Sequence, residues 1–234
     1  NVRFRALPID EKLSLRGDTV KREIEKDISQ GLIPCFLTGT IGTTGSAAVD
    51  HISELADANV WLHIDAAYAG SALVCPEYRH YLDGVDRVKR RKLLISALTV
   101  TPEILKNPAS ESGLVLDYRD WQLPPKHFQN KLTSKYSDLF AISVEQAFSL
   151  VCFHVISNEK SLETSNELTE KVFNRLNKSQ KIYLSHTKLN DQFVIRFAVG
   201  SPWTTEEHVD MALDLIVKTT KEVIGIKDEN NLFS

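Results

Sequence analysis

The sequence has little cysteine, almost no surplus of charge, no long apolar run and none of the usual metal spacings. Its three cysteines, Cys35, Cys75 and Cys152, are odd in number, far apart and set in apolar surroundings such as Pro34-Cys35-Phe36 and Val151-Cys152-Phe153. That excludes a disulfide framework and fits reduced, buried thiols of a cytoplasmic protein. The formal net charge of −3 offers no electrostatic case for nucleic acid or an anionic membrane surface as partner. No apolar stretch is long enough to cross a bilayer, and the first residues lack the basic-then-apolar pattern of a signal peptide. There is no Cys-x-x-Cys or His-x-x-x-His pair to suggest a metal. There is also no Gly-x-Gly-x-x-Gly or P-loop, which sets aside a nucleotide-binding α/β domain. Asn1-Val2-Arg3-Phe4 has no initiating Met and reads as mid-domain sequence, so the chain is expected to be a fragment.

What is present is ordinary for a globular chain: 234 residues, 42% hydrophobic and 25% charged, enough for one large or two modest domains. Asp18 is placed to N-cap a helix running to about Gln30, with Val20, Ile24 and Ile28 on one face and Gly31 as its stop. A buried strand is predicted over 33–40, then a turn-rich loop at Gly42-Thr43-Thr44-Gly45-Ser46, a short helix around 49–58 and a second strand over 60–65. Strand, loop, helix and strand make the βαβ unit of a parallel sheet, and ligands collect beyond the carboxyl ends of such strands. Thr43, Thr44 and Asp65 sit there. The basic cluster Arg87-Val88-Lys89-Arg90-Arg91-Lys92 reads most simply as a solvated face, and Leu123-Pro124-Pro125-Lys126 as a break. Beyond it the pattern predicts a strand over 147–155, an amphipathic helix over 161–176, strands over 181–185 and 193–199 joined by a polar turn, and a helix from Thr204 with Glu207 placed for a capping box. This second half reads as a compact α+β domain.

The stretch Trp61-Leu62-His63-Ile64-Asp65-Ala66-Ala67-Tyr68-Ala69-Gly70 carries the most chemistry. An acid at the end of a buried strand is costly unless something meets it. Asp65 can cap the next element, ligate a metal if companions exist, or pair with a protonated ring nitrogen of a flat cofactor lying against the small residues beside it. Spacing alone leaves the three open. His63 reads as a satisfied core histidine. Arg196 reads either as a group facing a substrate carboxylate or, more simply, as a surface or carboxylate-paired arginine. Arg119 reads as structural pairing, and Trp121 and Trp203 as core or interface aromatics.

The longer text narrows this. IPCFLTGTIGTTGSAAVDHISELA, WLHIDAAYAGSALVCPEYRHYLDGVD, SGLVLDYRDWQLP, FSLVCFHV and IYLSHTKLNDQFVIRFAVGSPWTTEEHV together resemble the group II decarboxylases that use pyridoxal 5'-phosphate (PLP). Within that group the resemblance is to the aromatic-L-amino-acid subgroup, which includes tyrosine and tryptophan decarboxylases and related aldehyde synthases. It implies an α/β fold, the aspartate-aminotransferase-like fold type I of PLP-dependent transferases. Residues 1–125 would be a partial PLP-binding large domain with a parallel sheet, and 126–234 a C-terminal α+β small domain. It implies PLP as cofactor, an aromatic amino acid as substrate and a homodimer with active sites at the subunit interface. By the same resemblance Asp65 is the acid that pairs with the pyridine nitrogen, Ala67 lies against the ring, and Thr44 is the cofactor-contacting threonine.

The text also departs from that family. The Asn-x-His-Lys-Trp motif, whose lysine forms the Schiff base, is missing after the CPEYRH segment, as though cut out between Asp86 and Arg87. Neither Lys89 nor Lys92 has the preceding His and following Trp, so neither takes that role. A second excision is read between Pro124 and Pro125, and Lys126-His127 cannot replace the motif. Pro102-Glu103-Ile104-Leu105 aligns with the family's mobile loop and puts Ile104 where a tyrosine donates a proton. Isoleucine has none to give, and loss of that hydroxyl turns the family's chemistry toward aldehydes. The expectation for these residues alone is therefore no catalytic residue and no activity. If the excisions are real, neighbouring strand edges are left exposed.

Overall fold

The computed structural model describes residues 3–87, 118–157, 159, 161–199 and 204–226, with only the backbone described over 118–123. The chain divides into two compact units, residues 1–115 and 116–234.

The first unit is built on two parallel strands, β1 (Phe36–Thr40) and β2 (Trp61–Asp65), in register from Phe36 opposite Trp61 to Thr40 opposite Asp65. β2 alternates, as a strand of a half-covered sheet does: Leu62 and Ile64 are buried on one face, while Trp61, like Phe36 opposite it on β1, is half exposed. Helix α1 (Gly17–Ser29) precedes β1, and α2 (Ile52–Leu55) with a 3-10 turn at Ala56–Ala58 makes the crossover. A Cβ on Gly39 would come within 2.7 Å of Leu55 Cδ1, so a glycine in the strand is what lets the crossover helix lie this close. Arg16 precedes α1 and reaches Glu54 on α2, which also accepts a hydrogen bond from the Gly17 N–H at 2.8 Å. Asp18 is in the first turn and not at the cap; Glu54 pairs one of the helix-end N–H groups, that of Gly17, from outside the helix. Beyond β2 the chain runs in 3-10 turns, Gly70–Val74 and Pro76–Leu82. Arg87 is exposed and donates to the Asp57 carboxylate and the Ser53 carbonyl. Lys89, Lys92 and Ile104 lie outside the described residues.

The second unit is a four-stranded antiparallel sheet in the order β3-β4-β6-β5, formed by β3 (Phe140–Ala147), β4 (Leu150–Val155), β5 (Ser185–Leu189) and β6 (Gln192–Ala198). Its helices are α3 (Tyr118–Ser134), α4 (Leu162–Lys178) and α5 (Glu206–Ile224). The core gathers Phe128 and Leu132 of α3, Phe153 of β4, Ile195 and Phe197 of β6, Val172 and Leu176 of α4, and Leu213 and Ile216 of α5. Phe128 stacks on Phe197 with ring centroids 4.1 Å apart. The β5–β6 hairpin turns at Asn190 and Asp191, both at positive φ, the geometry of the tight turns these residues favour.

Several elements differ from expectation. β1 begins at Phe36, because Ile33 is 87% exposed and buries nothing. The strand expected over 147–155 is β4, which starts later, at Leu150, and it pairs in a hairpin with β3, a strand the pattern does not predict; the chain turns at Phe148, whose φ is 52°. β5 covers 185–189 and not 181–185; Asn177 holds the approach to it through paired hydrogen bonds with Leu184 N and O. The capping box of α5 uses Thr205 and His208 instead of Glu207. Helix α3 runs through Pro124 and Pro125 where a break was read. The rings fit the helical φ, and the buried Phe128 and Leu132 offset the backbone bonds lost.

Candidate functional site

The carboxyl ends of β1 and β2 meet at one rung. Thr40 is opposite Asp65, and the next residue, Ile41, donates its N–H to the Asp65 carbonyl at 2.8 Å. From there residues 41–49 fold back on themselves: the N–H groups of Gly42 and Thr43 both donate to Ala48 O, Ala47 N–H donates to Thr43 O, and Ile41 bridges Val49. Gly42 has φ +78° and its would-be Cβ lies 2.3 Å from Ala69 Cβ. The turn after β1 therefore rests directly on the small-residue segment after β2, and only glycine permits that contact. Thr43 and Thr44 are exposed on this turn.

Asp65 is half-buried. Its Oδ1 accepts the Ala67 N–H at 2.9 Å, an Asx turn that fixes the carboxylate and leads the chain past an exposed Ala67. The capping role left open by spacing is thus real, but it uses one oxygen. Oδ2 has no hydrogen-bond partner among the described residues. A half-buried carboxylate with one oxygen braced and one open, beside a methyl-sized side chain and a close-packed turn, is an acceptor suited to the N–H of a protonated ring nitrogen in a planar group. Among the described residues no group of His, Cys, Asp or Glu is placed to hold a metal.

His63 is half-buried and stacks on Phe36 at 6.2 Å; it lies on the partly open aromatic side of the sheet and not in the core. Arg196 donates to Ser185 Oγ at 2.8 Å. The side chains of Arg119 and Trp121, and Trp203 altogether, lie outside the described residues.

The reading from sequence missed Asp50. Its carboxylate takes the Leu15 N–H on Oδ1 and the Thr40 N–H on Oδ2, each at 2.7 Å, while its own N–H donates to Thr40 O at 2.8 Å. Burial pushes this carboxyl above its usual range against the lowering effect of the Leu15 and Thr40 N–H groups. The only signal was an acid following a strand-end turn, which the helical pattern over 49–58 absorbed.

The conserved domain of pyridoxal-dependent decarboxylases matches residues 1–90. Tryptophan decarboxylase 2 of Oryza sativa subsp. japonica is 35% identical over 283 aligned positions, covering 96% of this chain and 56% of that protein. Tyrosine decarboxylase 2 of Narcissus pseudonarcissus is 36% identical, covering 89% of this chain and 53% of that protein. The crystal structure of Oryza sativa TDC with PLP superposes with a TM-score of 0.76 at 30% identity, over 92% of this chain and 54% of that one. The chain spans about half the length of the relatives it matches, and its two units are a partial fold type I structure. By these matches the chain belongs to the pyridoxal-dependent decarboxylase family.

Proposed function

We propose that the protein decarboxylates an aromatic L-amino acid of the tyrosine, DOPA or tryptophan type to its amine and CO2, using PLP. The observation that carries this is Asp65, braced by Ala67 N–H on one oxygen and open on the other at the joined ends of β1 and β2. When bound, the cofactor supplies an electron sink for the pair released from the carboxylate carbon bond. Asp65 would hold a proton at the ring nitrogen, which keeps the sink effective. Ala67 leaves room for the flat ring, and Thr44 offers a hydroxyl from the adjoining turn.

Homodimer assembly and a cytoplasmic setting belong to the same proposal. They rest on the family and on three thiols that form no disulfide. Among the described residues no helix is long and apolar enough to cross a membrane.

The missing Asn-x-His-Lys-Trp lysine favours a second reading for these 234 residues taken alone: a non-catalytic remnant or isoform that pairs with a full-length subunit. Without that lysine there is no covalent anchor and no release of product by exchange onto it. The division into domains 1–125 and 126–234 remains part of this proposal.

Borohydride reduction after incubation with PLP, followed by intact mass, tests the reading. One reduced cofactor on an Asn-x-His-Lys-Trp lysine in a polypeptide heavier than 26.4 kDa supports a working decarboxylase. A polypeptide of this mass with no specific adduct supports the remnant. Product analysis with tyrosine, DOPA and tryptophan separates amine from the aldehyde that Ile104 would favour.

A further inference from the structure

We infer that Asp50 is a positioning residue for the cofactor site, its carboxylate closing the loop that carries Thr43 and Thr44 and holding the β1 end against Asp65. The inference rests on the cofactor reading given under Proposed function.

The loop from Thr40 to Asp50 is shut by a reciprocal pair: Thr40 N–H donates to Asp50 Oδ2 at 2.7 Å and Asp50 N–H donates to Thr40 O at 2.8 Å. Leu15 adds a second closure around the first: its N–H donates to Asp50 Oδ1 and its carbonyl accepts the His51 N–H. One side chain therefore ties together the segment before α1, the last residue of β1 and the return of the loop. Thr40 is the register partner of Asp65, and Ile41 N–H reaches the Asp65 carbonyl. A displacement of Thr40 is thus passed directly to the acid, and through Gly42 to Ala69.

The chemistry demands a carboxylate. Two backbone N–H groups approach two different oxygens, and an asparagine has only one acceptor oxygen. Its NH2 group would face a donor, leaving a half-buried N–H unpaired.

The test compares wild type, Asp50→Asn and Glu54→Gln in the full chain. Glu54 braces the same N-terminal segment through Gly17 and Arg16 without touching Thr40, so it reports on stability alone. The readouts are amide exchange over residues 40–48 and 65–69, and titration with PLP followed by absorbance. Asp50→Asn is expected to speed exchange in both segments and to weaken PLP binding about tenfold, with a shifted absorbance maximum of the bound cofactor. Glu54→Gln is expected to lower the unfolding midpoint and leave PLP affinity unchanged. PLP uptake with the same affinity and spectrum by wild type and Asp50→Asn would overturn this inference alone. No uptake by wild type would overturn the cofactor reading beneath it. Should Asp50→Asn not fold, Asp50→Glu carries the same readouts, because it keeps both acceptor oxygens and displaces them by one methylene.

Discussion

A methyl group on Gly42 would sit 2.3 Å from Cβ of Ala69. These two residues belong to the segments that follow the two parallel strands, and their contact brings the Gly-Thr-Thr turn onto the segment that begins at Asp65. Gly42→Ala therefore forces the two apart and also strains a backbone at φ +78°. It should destabilise the first unit by about 1–3 kcal/mol, read by urea unfolding. Ala69→Gly in the same chain should recover the steric share and leave the backbone strain. A double variant no better than the single one would show that the contact does not limit the turn.

The ion cluster on α3 and α5 makes stability depend on acid. Asp210 accepts from Lys131 Nζ at 2.5 Å and lies 2.9 Å from His127 Nε2. The Lys131 hydrogen bond, then His127, outweighs desolvation and holds the carboxyl below its usual range. A carboxyl lowered in the folded state stabilises above its unfolded pKa and loses that contribution as pH falls through the folded value. Unfolding followed between neutral pH and about pH 3 should show wild type losing more stability than Asp210→Asn below the ordinary carboxylate range near 4. The effect should shrink with added salt, because the Asp210 side chain is 39% exposed.

His154 adds an independent dependence at higher pH. Burial lowers its pKa from 6.5, and its Nδ1 meets Ser143 Oγ at 2.9 Å. A base whose pKa is depressed by folding destabilises once protonation begins in the unfolded chain. Stability should fall as pH drops below about 6.5, and His154→Gln should flatten that slope. An unchanged slope would place the titration elsewhere.

The thiols should separate by burial. Cys35 is exposed, whereas Cys152 is buried and its thiol is pushed up to about 11 by desolvation, which the Arg196 charge opposes. Iodoacetamide near neutral pH should label Cys35 in the native protein and Cys152 only after unfolding, because the thiolate is the nucleophile. Native labelling of Cys152 would contradict its place in the second sheet.

The parallel pair was legible because Asp65 and the Gly-Thr-Thr turn end two apolar runs, and parallel strands present their carboxyl ends together. Helices α4 and α5 were legible from their apolar spacing. β3 was not: its residues are mostly half-buried, so no clean alternation appears, and the hairpin turn uses Phe148 in place of a glycine or asparagine. The start of β5 was misplaced because Lys181 to Leu184 is apolar enough to read as strand, while Asn177 holds it as an irregular approach. At the site, Asp65 was legible as an acid out of place in a strand. Asp50 was not, since its partners are backbone N–H groups from residues 35 and 10 positions away in sequence.

The central claim is that Asp65 faces the pyridine nitrogen of PLP, and Asp65→Asn tests it most directly. Asparagine keeps an oxygen for the Ala67 N–H, so the turn survives and stability should stay within about 0.5 kcal/mol of wild type. What it loses is the charge that would hold a ring proton. The account predicts PLP affinity at least about tenfold weaker in Asp65→Asn than in wild type at matched stability. Equal affinity and an identical bound-cofactor spectrum would contradict it, and would leave Asp65 with the Ala67 turn as its whole role.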